Sequence, residues 1–74
     1  MTTSPTIERE ILIDLIHNRG STPHQVTYRL RGQAPTQVHQ SLSRLVCSGR
    51  VADRSGRLEI TRDGMRSLYR EVRV

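Results

Sequence analysis

Residues 21–49 read STPHQVTYRLRGQAPTQVHQSLSRLVCSG, and two helix-start signals within them decide the fold. The stretch Thr22-Pro23-His24-Gln25 supplies a capping hydroxyl and a proline at the first helical position, where the missing N–H costs nothing. Its glutamine, three residues after the cap, can complete a capping box. This predicts a short helix over 23–31, with Val26 and Leu30 as a narrow apolar stripe and Gly32 as the stop. Only Gly32, Gln33 and Ala34 separate it from Pro35, the next helix-starting proline. From Pro35 to Ser48, the residues Val38, Leu42, Leu45 and Val46 fall on one face at about 100° per residue. Thr36, Gln37, Gln40, Ser43 and Arg44 occupy the opposite face, and Gly49 ends the helix.

A three-residue connection containing glycine between two such helices is the spacing of a helix-turn-helix. N-terminal to it, Ile7, Ile11, Leu12, Leu15 and Ile16 recur at helical spacing and predict a helix over 5–18. Ser4 is its cap, Pro5 its first residue and Gly20 its stop, with residues 1–4 as a flexible lead. C-terminal to it, Val51, Leu58 and Ile60 alternate in strand fashion around Ser55-Gly56, a pair suited to a two-residue hairpin turn. That register sets Arg54 opposite Arg57 and Val51 opposite Ile60. Thr61 then caps a last helix, with Asp63 in its first turn and Met65, Leu68, Tyr69 and Val72 as the stripe that seats it. The expected fold class is mainly α with a small β-hairpin, a single domain over 5–74.

The 74 residues are 34% apolar, with Tyr28 and Tyr69 as the sole aromatics, which allows one small domain and excludes a separate catalytic lobe. Such a chain buries only about 60% of its unfolded surface, so it is expected to be marginal alone or to form a homodimer. The twelve basic residues, all arginine, outnumber seven acids for a net charge of +5, which points to an anionic partner. A single cysteine excludes an internal disulfide framework. No apolar run approaches a membrane span, and MTTSPTIERE lacks the pattern of a secretory signal; a cytoplasmic place, bacterial cytoplasm or nucleoid, is the expectation.

The charge is also unevenly spread. Between Asp14 and Asp53 lie thirty-eight residues with no carboxylate and five arginines, Arg19, Arg29, Arg31, Arg44 and Arg50, whereas residues 1–14 carry a net −2. A side turned toward a polyanion is the simplest cause. Arg54 facing Arg57 across the hairpin costs some tenths of a kcal/mol, up to about 1. That cost makes sense if a phosphate sits between them, or if Asp53 or Glu59 screens them.

The order of elements, and the residues Leu42-x-x-Leu45-x-x-x-Gly49-x-Val51 running into Gly56-x-Leu58-x-Ile60-Thr61-x-x-Gly64, carry a resemblance. The chain resembles the DNA-binding core of bacterial winged helix-turn-helix transcription regulators of the MarR-like and PadR-like kinds, over about residues 5–72. The resemblance implies a three-helix core, a two-stranded wing at 50–60 and a C-terminal helix. It also implies that the helix at 35–48 reads the major groove of double-stranded DNA while the wing meets backbone or minor groove. Carried over, the DNA-binding positions are Thr36, Gln37, Gln40, Ser41 and Arg44 on the helix and Arg54 and Arg57 on the wing, with Arg29 and Arg31 as further phosphate contacts. His24 and Arg50 are weaker candidates for backbone contacts. Gln pairs bidentately with adenine, Arg with guanine, and Ser or Thr reaches bases or phosphates. The chain departs from those families in lacking long terminal dimerisation helices and room for an effector pocket. What remains is a minimal DNA-binding core, of the kind that a small regulator of a phage or mobile element consists of.

Each of these positions also has a plainer reading. The exposed face of the helix at 35–48 is an ordinary solvated surface, and Arg29 and Arg31 keep a short helix soluble. Cys47 is a packing residue without a resolving partner. His17, His24, His39 and Cys47 show no ligand spacing, so neither a metal nor a cofactor is expected. With no glycine-rich phosphate cradle and no nucleophile–base motif, an enzyme is not expected either. Two tyrosines are too few for a single-strand stacking platform. The alternative function is a winged-helix protein–protein interaction module that docks its basic face on an acidic protein partner, without direct DNA readout. In that case the apolar stripe of the last helix is a further candidate interface.

Overall fold

A computed structural model describes residues 4–72, with side chains from 7 to 69. Among the described residues, four helices and a two-strand antiparallel hairpin follow in the order α1 (Ser4–His17), α2 (Pro23–Arg29), α3 (Pro35–Cys47), β1 (Val51–Arg54), β2 (Arg57–Ile60) and α4 (Arg62–Val72). This order is compatible with a winged-helix layout. The side chain of Ser4, expected as the first cap, residues 1–3 of the lead and the Val72 end of the last stripe lie outside the described residues. None of the described helices is long and apolar enough to cross a membrane.

The capping box forms as the sequence predicts. Thr22 Oγ1 accepts from the Gln25 N–H at 3.2 Å, and Gln25 Oε1 accepts from the Thr22 N–H at 3.0 Å. The end of α2 differs from expectation: the chain leaves the helix at Leu30 (φ −103°, ψ 36°), and Gly32 takes no left-handed φ. Leu30 packs partly buried against the core, and the Gln33 N–H closes a turn on its carbonyl at 2.9 Å, so the backbone bends off the helix axis early. Ala34 is extended (φ −64°, ψ 130°), as the ring of a following proline demands, and α3 begins at Pro35. Gly49, at φ +81°, ends α3 in a Schellman arrangement. There the Arg50 N–H reaches Leu45 O at 2.9 Å and the Gly49 N–H reaches Val46 O at 3.1 Å.

The hairpin has the predicted register, Val51 to Ile60 and Arg54 to Arg57. Its turn residues Ser55 (φ +56°) and Gly56 (φ +86°) are both left-handed, which is the type I′ geometry that matches strand twist. Asp53 Oδ1 braces the turn by accepting from the Gly56 N–H at 2.9 Å. The hairpin also has a neighbour beyond the two strands expected. Ser21 forms a bridge to Leu58, with the Leu58 N–H donating to Ser21 O at 2.7 Å and the Gly20 N–H to Leu58 O at 2.9 Å. The α1–α2 connection thereby adds a third lane beside β2.

The core is aliphatic: Ile7, Ile11, Leu12 and Leu15 of α1, Val26, then Val38, Leu42 and Leu45 of α3, Val51, Leu58 and Leu68. Two expected stripes are only partly used. Ile16 and Met65 remain 37% exposed and Tyr69 66%, so within the described part of α4 Leu68 alone of its stripe is buried. The cause is a close approach one turn earlier, because a Cβ on Gly64 would run into the Arg50 carbonyl and into Ile60 Cγ1 at 2.8 Å. Gly64 and Leu68 are thus the edge pressed inward, and Met65 and Tyr69 turn outward. On an open helix, replacing glycine by alanine gains about 0.8–1 kcal/mol. Here Gly64→Ala should instead lower stability by about 1–3 kcal/mol, read as an earlier urea midpoint at unchanged slope.

Candidate nucleic-acid interface

At about 100° per residue, the outward ridge of α3 is Thr36, Gln40, Ser43 and Cys47, opposite the buried Val38, Ser41, Leu42 and Leu45. His39 and Val46 flank the ridge on one side, Gln37 and Arg44 on the other. The first flank borders a cleft lined by Pro23, His39, Leu42, Ser43, Val46, Cys47, Asp53 and Leu58, between α3, the start of α2 and the hairpin. The second borders a depression lined by Glu8, Arg44, Cys47, Ser48 and Arg50. Cys47 lines both and therefore marks the crest.

Thr36, Gln37 and Gln40 are exposed as expected, and so are His39 and Ser43. None of these five side chains has a hydrogen-bond partner among the described residues, so donors and acceptors on this face are presented outward. Ser41 is the correction on this helix. Expected to face a groove, it is 1% exposed, while Val46, expected inside, is 36% exposed. Positions 41 and 46 lie at opposite rims of the Val38–Leu42–Leu45 stripe, and the rotation of α3 as packed turns the first inward and the second outward. The Ser41 hydroxyl instead accepts from Arg44 Nη2 at 3.4 Å.

The arginines divide into those held by the fold and those without a carboxylate. Arg29, expected as a phosphate contact, is committed inward. Its Nε and Nη2 each donate to Asp14 at 2.9 Å, and Nη2 also donates to the Ser21 hydroxyl, tying α2 to α1 and to the third lane beside β2. The hydrogen bond to Asp14, opposed by burial and helped by the charge of Asp14, raises the Arg29 pKa above its ordinary range. Arg31 lies over the Tyr28 ring at 5.0 Å, and neither Arg29 nor Arg31 lines the cleft. Arg44 Nε donates to Glu8 Oε2 at 3.1 Å and Arg50 Nη1 to Glu8 Oε1 at 3.4 Å. The acid-free window is therefore not acid-free in space: Glu8 and Asp14, from the acidic opening segment, fold back onto three of its five arginines.

On the hairpin, strand alternation puts Arg54, Arg57 and Glu59 on one face and Val51, Asp53, Leu58 and Ile60 on the other. The cross-strand arginine pair is relieved within the fold. Arg54 Nε lies 3.7 Å from Glu59 Oε1, the screening partner expected as one of two, and Arg57 Nη1 donates to Gly20 O at 3.2 Å. It is Asp53, not an arginine, that faces the cleft. Sequence reasoning missed Asp53 and His39 as cleft residues and passed over Ser43. Stepping α3 at 100° puts Ser43 on the exposed face, and only the positions carried over from the resemblance leave it out; the role of Asp53 depends on how the hairpin seats on α3. Among the described residues, Arg9, Arg19, Arg31, Arg57, Arg62 and Arg66 have no carboxylate partner, and no three His, Cys, Asp or Glu side chains gather as metal ligands.

Comparison of the chain with protein-family models, with curated proteins and with solved structures gives no match.

The inward commitment of Arg29 has a measurable consequence. Arg29→Ala removes both guanidinium bonds from Asp14, which keeps only the long contact from Asn18 Nδ2 at 3.4 Å, and leaves the buried Ser21 hydroxyl with its bond to Asn18 O alone; it should cost about 1–2 kcal/mol of stability. Arg31→Ala, on an exposed surface, should change stability by much less, within about ±0.5 kcal/mol. Both are read by thermal denaturation followed by circular dichroism.

Proposed function

We propose that this chain is a winged helix-turn-helix protein that binds double-stranded DNA non-covalently, as a small regulator of transcription. The observation that carries the reading is the outward ridge of α3. It presents Thr36, Gln40 and Ser43 with no partner among the described residues, on a helix framed by the start of α2 and a hairpin that carries Arg54 and Arg57. An α-helix fills the roughly 12 Å width of a major groove, where glutamine pairs bidentately with adenine and short hydroxyls reach bases or phosphates. Arg54 and Arg57 near the tip of the hairpin supply backbone contacts, their guanidiniums matching phosphate geometry. Arg44 leaves the list of base readers, since it leans toward Glu8 on the far flank.

One observation favours the rival reading, a protein-interaction module. The cleft beside α3 is floored by Pro23, Leu42, Val46 and Leu58 and edged by Asp53, a surface suited to an apolar side chain rather than to a phosphate. Salt separates the two. Fluorescence anisotropy with a random-sequence duplex should show affinity falling by orders of magnitude between about 50 and 200 mM salt, as counterion release requires. Gln40→Ala should relax sequence preference and cost about 1–3 kcal/mol at its cognate base. Arg57→Ala should weaken all sequences alike and flatten the salt slope by about one. No duplex binding at low salt returns the interaction module as the better reading.

A further inference from the structure

Glu8 of α1 lies between two guanidiniums that belong to opposite sides of the α3 terminus. Arg44 precedes the Schellman turn and Arg50 closes it, yet both reach the same carboxylate, one oxygen each, at 3.1 Å and 3.4 Å. The acid is the inner member of the group, with a side chain 17% exposed against 51% for Arg44 and 39% for Arg50. One carboxylate offers about four lone-pair sites to two guanidiniums that together carry ten N–H donors. The cluster keeps a formal charge of +1 and opens outward as a depression shared with Cys47 and Ser48.

This charge sits on the flank of α3 opposite the hairpin. A helix lying in a major groove has a phosphodiester strand along each side, so a backbone contact on one flank leaves the other strand to be met on the opposite one. Resting on the reading of α3 as a groove-bound helix, we propose that Arg44 and Arg50 form a phosphate-group site that Glu8 occupies in the absence of DNA. The second backbone strand then displaces the carboxylate. Two oxygens of a phosphodiester present the same fork-accepting geometry as the two oxygens of Glu8. The internal carboxylate also sets a threshold: an isolated anion competes poorly with it, whereas a duplex already held at the wing brings its phosphate at high effective concentration.

The test is Glu8→Gln, which keeps length and hydrogen bonding and removes the charge. Two readouts are used on the whole chain: nitrogen-15 NMR of the arginine Nε–H groups titrated with inorganic phosphate against chloride at matched ionic strength, and anisotropy with a random duplex. In Glu8→Gln the Arg44 and Arg50 signals should move with phosphate. Duplex affinity at low salt should rise by about fivefold or more, with a salt slope steeper by about one. Adding Arg50→Ala should cancel both gains. Duplex binding and salt slope unchanged in Glu8→Gln, with still arginine signals, overturn the phosphate site while leaving the DNA reading in place. Phosphate shifts with no duplex binding by either protein uphold the anion site and overturn the DNA reading. Should Glu8→Gln lose its fold, Arg44→Gln/Arg50→Gln in the native background decides instead: the slope should flatten by about one to two, and an unchanged slope overturns the site.

Discussion

Two carbonyl oxygens at the end of α3, those of Gly49 and Arg50, hold the base of the hairpin and the start of α4 together. Thr61 donates its N–H to Arg50 O at 2.9 Å and its hydroxyl to Gly49 O at 2.7 Å. The same hydroxyl accepts from the Gly64 N–H at 3.1 Å and so caps α4. A single junction therefore closes the hairpin, begins the last helix and receives its closest backbone approach. Because β1 leaves α3 here and β2 returns here, the direction in which the hairpin projects past α3 is set by these few polar contacts. The short apolar contribution of the strands, Val51 and Leu58, only holds it down.

Much of this was legible in the chain because the signals were local. A threonine, a proline and a glutamine wrote the start of α2, and Ser55-Gly56 wrote a turn whose register then followed by counting. Thr61 with Asp63 wrote the start of α4. What could not be read locally was decided by packing. Whether Gly32 or Leu30 ended α2 depended on where Leu30 found the core. Whether Ser41 or Val46 went inside depended on the rotation of α3 against α1, which a pattern with apolar residues at both rims left open by one step. Gly64 was quoted in the motif that carried the resemblance, but the reason for it, the Arg50 carbonyl against its Cα, exists only once α4 has docked.

Charge was the least legible property for a physical reason. Sequence distance sorts carboxylates away from arginines, but α1 lies against both α2 and α3, and their side chains are close in space whatever their separation along the chain. Asp14 and Arg29, fifteen residues apart, and Glu8 and Arg44, thirty-six apart, meet across helix faces. The resulting surface is basic by virtue of the arginines that the acids do not reach, several of them outside the window that first drew notice. Twelve arginines and no lysine suit this division, because a planar fork can serve a carboxylate within the fold or a phosphate outside it with the same donors.

The bridge between Ser21 and Leu58 gives the small sheet two unlike borders. The backbone of β2 is paired with β1 on one side and, at Leu58, with the α1–α2 connection on the other. Along β1 one row of amides and carbonyls has no neighbour among the described residues, and that row is four residues long, ends in Asp53 and Arg54, and twists away into a type I′ turn. A free border so brief and so charged makes a poor template for another chain's strand. Molecules crowded side by side are thus guarded against joining into fibres through their sheets.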